Sequence, residues 1–189
     1  MLLGHGGSGH KRSERNVRLA TWFAACGGIA SLAIDGPLHG DRAVSGDGRL
    51  DYQNRIAGEG ARNIHDRMRQ NWLAALAAVD HSGWVGEPSV AFLGMSIGAR
   101  YGLPVCAALA SRLRCAVLGK FGLAQIDRLP RDLAANDVIT AAAKSIRAPI
   151  LQHVQWRAAP TRRRRVASGF STDTAPGSAD GVIRAAGRA

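Results

Sequence analysis

The sequence predicts an α/β fold: a parallel sheet of about five strands with helices on both faces. Two observations carry this. Through residue 156, short apolar runs of β type alternate with longer stretches of helical period. Glycine-rich turns then stand where a strand would hand over to a helix, at residues 4–9 and 94–98. At 189 residues, 46% of them hydrophobic and 21% charged, the chain suits one domain with a sizeable core.

Strands are expected at Leu2 to His5, Ala30 to Ile34, Ser89 to Leu93, Cys115 to Leu118 and Pro149 to Val154. Between the first two, Ser13 is placed to cap a helix on which Val17, Ala20, Phe23 and Ala24 recur at helical spacing. A long helix is expected from about Arg55 to Val79, with Ile64, Met68, Trp72 and Leu76 four residues apart as core contacts. Leu38 to Tyr52, rich in Gly and Asp, reads as a loop. Pro104 is expected to break or kink the helix after the third strand, since an interior proline costs about 3 kcal/mol.

Composition excludes several classes. The longest apolar runs are far shorter than the roughly 18 residues of a membrane span, so no membrane association is expected. The N-terminus carries no basic segment followed by an apolar one, which makes a cytoplasmic location the default expectation. Cys26, Cys106 and Cys115 have no metal-ligand or CxxC spacing and read as reduced core residues. The net charge of +11 is unevenly spread, since the last 33 residues carry +5 of it.

That segment, from Arg157 to Ala189, has neither helical nor strand period and a single Phe. It is expected to be a disordered Arg/Ala/Gly-rich tail beyond a core of residues 1–156. Its composition is what a GC-rich gene yields out of frame. Arg162 to Arg165 form a short basic run without aromatic residues to stack on bases, so nucleic acid is not the expected partner.

Two chemistries compete for the first glycine turn, "LGHGGSGHK". Gly4, Gly6 and Gly9 satisfy G-x-G-x-x-G, and Asp35 stands where a ribose-binding acid would close the next strand of a Rossmann-like dinucleotide-binding module. The alternative is a loop that holds the oxyanion of an acyl-transfer intermediate. "AFLGMSIGARYG" favours the second, because Gly94-Met95-Ser96-Ile97-Gly98 fits G-x-S-x-G between a predicted strand and helix. In such an elbow, side chains two positions either side of the serine would clash, so glycine is required at 94 and 98. His5 and His10 lack a third ligand, so no metal is expected, and His39 reads as a brace for the loop after the second strand.

With His5-Gly6-Gly7-Ser8-Gly9, then "DGPLHGDR" from Asp35 to Arg42, then the Ser96 turn, the chain resembles the α/β-hydrolase superfamily. The likeness is to its dienelactone-hydrolase-like and serine-esterase-like members, over roughly Leu2 to Trp156. It implies an α/β-hydrolase core truncated at both ends, beginning at the family's third strand. Ser96 would be the nucleophile, with the backbone amides of Gly7 and Ile97 as oxyanion hole. It further implies a small ester, acyl or lactone substrate, an acyl-enzyme, no cofactor, and strands in the spatial order second, first, third, fourth, fifth. An apolar edge at Ala30 to Ile34 would remain open to pairing with a second copy. The family's acid should follow "APILQHVQW", where the chain has Arg157-Ala158-Ala159, and no histidine occurs after His153. The triad is therefore incomplete, and weak or absent activity is the corresponding expectation.

Overall fold

The computed structural model describes residues 1–44, 49–86, 89–122, 133–155, 171–172 and 180–184. Its centre is a sheet of four parallel strands: β1 (Leu2–Gly4), β2 (Val90–Met95), β3 (Leu113–Gly119) and β4 (Ile150–Gln155), adjacent in that order. The α/β class, and the order of these four strands, are as the sequence predicts. The strand expected at Ala30 to Ile34 is reduced to a single parallel bridge, Leu2 to Leu32, on the outer side of β1. Leu3 N–H donates to Leu32 O and Leu32 N–H to Met1 O, each at 2.9 Å. A three-residue β1 offers too short a ladder to hold a five-residue partner in register.

Among the described residues the α-helices are α1 (Glu14–Gly27), α2 (Arg49–Glu59), α3 (Ala61–Ser82), α4 (Ile97–Leu109) and α5 (Asn136–Ser145). Ile64, Met68, Trp72 and Leu76 on α3 are all buried, as their spacing requires. The predicted single helix is two, however, because Gly60 stands between α2 and α3 with φ 89°, a conformation outside the helical region. Pro104 does not end α4, which runs on to Leu109. Around the proline, Leu103, Val105, Cys106 and Leu109 are buried, and that packing offsets the missing backbone bond.

Coverage of the sheet is uneven. Along β2, Val90, Phe92 and Gly94 are buried while Ala91, Leu93 and Met95 are half-buried, the alternation of a sheet fully covered on one face only. Phe92 meets Trp72 of α3 edge-on with ring centroids 5.7 Å apart. Helix α1 belongs to a different regime. Asn16 is its one buried residue, Val17 and Trp22 are more than half exposed, and no residue of α1 belongs to the core cluster. The expected apolar stripe on this helix therefore does not form core. Ser13 occupies the N-cap position, but its hydroxyl donates to His10 O at 2.7 Å and accepts from His10 N–H at 2.7 Å rather than capping α1.

Of the three cysteines, all free, only Cys106 is core; Cys26 and Cys115 are exposed, which corrects the sequence reading. Burial pushes the Cys106 thiol up to about 12, so it remains protonated. His65 on α3 is fully buried and accepts from Arg100 Nε at 3.3 Å. Burial first, and the Arg100 charge second, lower its pKa to about 3, which keeps the ring neutral.

Most of the segment after Trp156 lies outside the described residues. Two short stretches within it are described: β6 (Asp180–Arg184) pairs antiparallel with β4, and β5 (Ser171–Thr172) pairs antiparallel with β6. β4 would otherwise present an unpaired edge, and Val182 and Ile183 of β6 are β-forming residues. Among the described residues, no helix is long and apolar enough to cross a membrane.

Candidate active site

The carboxyl ends of β1 and β2 lie side by side, with Gly4 paired in register to Gly94. This brings the two glycine-rich turns of the sequence together. Ser96 directly follows β2 and directly precedes α4, with φ 56° and ψ −118°, backbone angles that an L-residue adopts only under strain. Leu38, Ala110 and Lys120 also have positive φ, but of the four only Ser96 lies between a strand and a helix with glycine two residues away on each side.

Those glycines are required by contact. A Cβ on Gly94 would lie 2.6 Å from the carbonyl of Gly98, and a Cβ on Gly98 would lie 2.6 Å from the carbonyl of Gly4. Main chain stacks on main chain at this crossing, leaving nothing that could move aside. Ser96 N–H donates to Gly119 O at 2.7 Å, and Ser96 O accepts from Arg100 N–H at 2.9 Å as the first bond of α4. The serine side chain makes no capping bond to its own helix.

The first turn is held by hydrogen bonds instead. Gly9 N–H donates to Gly6 O at 2.9 Å, closing the turn. His5, buried at 4% exposure, accepts from Gly36 N–H through Nε2 at 2.7 Å, and its Nδ1 lies 2.8 Å from Gly6 O. The lowered pKa of His5 follows chiefly from its burial, with the hydrogen bond to the Gly6 carbonyl acting in the other direction. Gly7 is exposed and faces Ile97: a Cβ on it would meet Ile97 Cγ2 at 3.7 Å, an ordinary contact. Thus Gly7 and Ile97, from turns more than eighty residues apart in sequence, are spatial neighbours beside Ser96.

His39 does brace the loops, with Nδ1 2.6 Å from Pro37 O and Nε2 3.0 Å from Gly7 O. Its ring lies 5.3 Å from that of His5. Both histidines are thus committed to backbone and neither is hydrogen-bonded to Ser96, while His10 accepts a long bond from Arg12 N–H. His153 lies in β4, opposite Gly119. Arg157, Ala158 and Ala159, where the resemblance would place an acid, lie outside the described residues.

Asp35, which the dinucleotide-binding alternative would place on a ribose, is engaged within the protein. Its carboxylate, 3% exposed, accepts from Lys11 N–H at 2.8 Å, Lys11 Nζ at 2.6 Å and Asp41 N–H at 3.1 Å. Burial alone would raise its pKa, but these donors outweigh it and hold the group at about 2. Lys11 Nζ also reaches Asp41. These bonds tie the first turn to the loop carrying His39. Neither His5 nor Asp35 could be assigned these partners from sequence, because Gly36 and Lys11 lie 31 and 24 residues away and no periodicity links them.

Between the two turns lies a small cavity of about 10 Å³, lined by His5, Ile97, Gly98, Met68, Trp72 and Tyr101 among others. That is room for about one water. Compared with known proteins, the chain matches no family model, no curated protein and no solved structure.

Proposed function

We propose that this chain is a serine hydrolase of α/β-hydrolase type, with Ser96 as the nucleophile and the N–H groups of Gly7 and Ile97 as the oxyanion hole. The observation that carries the reading is the backbone of Ser96. A serine held at positive φ between strand and helix, by glycines that touch main chain on both sides, costs on the order of 1–3 kcal/mol that an ordinary turn would avoid. Such strain is useful where a hydroxyl must stand clear of the sheet at a helix N-terminus, which favours developing negative charge.

In the reaction, Ser96 Oγ attacks the ester carbonyl while the carbonyl oxygen, gaining charge, is met by Gly7 N–H and Ile97 N–H. Collapse breaks the acyl–oxygen bond, solvent water carries the proton given up by Ser96 Oγ to the departing alkoxide, and the resulting acyl-serine is hydrolysed by a second water to the acid and free Ser96. Each preorganised donor is worth about 3 kcal/mol of barrier. His5 and His39 are occupied by backbone groups and do not serve as the base, so turnover is slow and relies on the oxyanion hole. The occupied carboxylate of Asp35 weighs against the dinucleotide-binding alternative.

The test is hydrolysis of a short-chain nitrophenyl ester by the full chain and by Ser96→Ala, with circular dichroism showing both folded. Loss of the rate above background in the variant supports the reading. Equal rates in the two proteins would refute it.

A further inference from the structure

The Gly7 amide assigned to the oxyanion hole belongs to the same peptide unit as the Gly6 carbonyl. Because that unit is planar and trans, whatever fixes Gly6 C=O aims Gly7 N–H in the opposite direction. Two donors converge on Gly6 O, the Gly9 amide at 2.9 Å and His5 at 2.8 Å. The protonation pattern of His5 follows from its other contact. Gly36 N–H is a donor and points at Nε2, so Nε2 carries the lone pair and Nδ1 carries the proton. The ring is a fixed bar between the Gly36 amide and the Gly6 carbonyl.

We infer that His5 is a positioning residue: through Nδ1–H it clamps the Gly6 carbonyl and so aims the Gly7 amide at the oxyanion. The inference rests on the hydrolase reading of Ser96 and adds to it the part that makes one of its two donors directional. Accepting two hydrogen bonds also polarises the Gly6–Gly7 peptide, which makes its N–H a better donor. His39 does not substitute for His5. Its two nitrogens face two carbonyls, Pro37 O and Gly7 O, and Gly7 O belongs to the next peptide, whose amide is that of Ser8.

A pair of variants separates aiming from bracing. The amide nitrogen of an asparagine overlays Nδ1, so His5→Asn keeps the donor to Gly6 O. The carboxamide of a glutamine reaches the Nε2 position, where its Oε1 accepts from Gly36 N–H, so His5→Gln keeps only the contact to Gly36. Both lose the other contact and are expected to lower Tm similarly. For nitrophenyl ester hydrolysis by the full chain, His5→Gln should lose about 100-fold in kcat with little change in KM. His5→Asn should stay within about fivefold of the parent.

Equal losses in the two variants would overturn the positioning role and leave a structural one. Nitrogen-15 NMR of the His5 ring gives a readout that needs no activity. A protonated Nδ1 and bare Nε2 at neutral pH are expected, and the reverse tautomer overturns the clamp whatever the kinetics. A parent protein with the expected tautomer but no Ser96-dependent hydrolysis would instead overturn the hydrolase reading beneath it.

Discussion

The two turns at the carboxyl edge of the sheet are built in opposite ways. The turn after β1 is a polar construction: His5, His39, Asp35 and Lys11 hold its backbone from behind with hydrogen bonds and one ion pair. The turn after β2 is a steric construction, in which Gly94 and Gly98 let main chain press on main chain and leave Ser96 strained. A sterically built turn is defeated by a single methyl group and indifferent to pH. A polar one tolerates added volume at Gly6 or Gly7, where a Cβ meets nothing closer than 3.7 Å, but depends on protonation.

The largest effect expected from breaking this contrast is on the steric side. Gly98→Ala places a Cβ against the carbonyls of Gly4 and His5 and should cost about 3 kcal/mol or more, measured by denaturant unfolding. A loss under about 1 kcal/mol would show that the turns can separate freely.

On the polar side, Asp35→Ala leaves the amides of Lys11 and Asp41 without their acceptor and Lys11 Nζ with Asp41 alone, and should cost about 2–3 kcal/mol. The same group gives a pH signature. Its folded pKa of about 2 lies below the ordinary 3.8, so the folded state binds fewer protons between these values. The stabilisation, on the order of 2 kcal/mol, is present above pH 3.8 and is lost as pH falls toward about 2. His5 has the same sign at higher pH. Its folded pKa is lowered from 6.5, so its contribution is complete above pH 6.5 and declines as the solution becomes more acidic. The segment 94–98 contains no titratable side chain. Amide resonances of Gly6 and Gly7 should therefore shift on acidification before unfolding, while that of Ile97 stays in place. Parallel movement of all three would contradict the division.

The smallest effect has the opposite sign. Ser96→Gly removes the cost of a positive φ and should stabilise the fold by about 1 kcal/mol while abolishing hydrolysis. Stability gained as activity is lost would identify the strain as functional.

What sequence alone made legible divides along the same line. The elbow could be read because its requirement is local, two glycines flanking a serine between apolar strand and helix. The buried ladder Ile64, Met68, Trp72 and Leu76 could be read because helical period is local too. The polar turn could not, since Asp35 meets Lys11 and His5 meets Gly36 only through the tertiary fold. α1 misled for a related reason: its spacing is amphipathic, but burial needs an opposing surface, and Val17 and Trp22 have none among the described residues. The expected strand at Ala30 to Ile34 is reduced to one bridge because β1, its neighbour among the described residues, is three residues long.

The central claim is that the strained serine is the reacting group, and the most direct measurement is labelling with a fluorophosphonate followed by peptide mass spectrometry. The account predicts one phosphonylated residue, Ser96, with Ser8 and Ser13 unmodified and labelling abolished by Ser96→Ala. Labelling absent from Ser96, or spread equally over exposed serines, would contradict it.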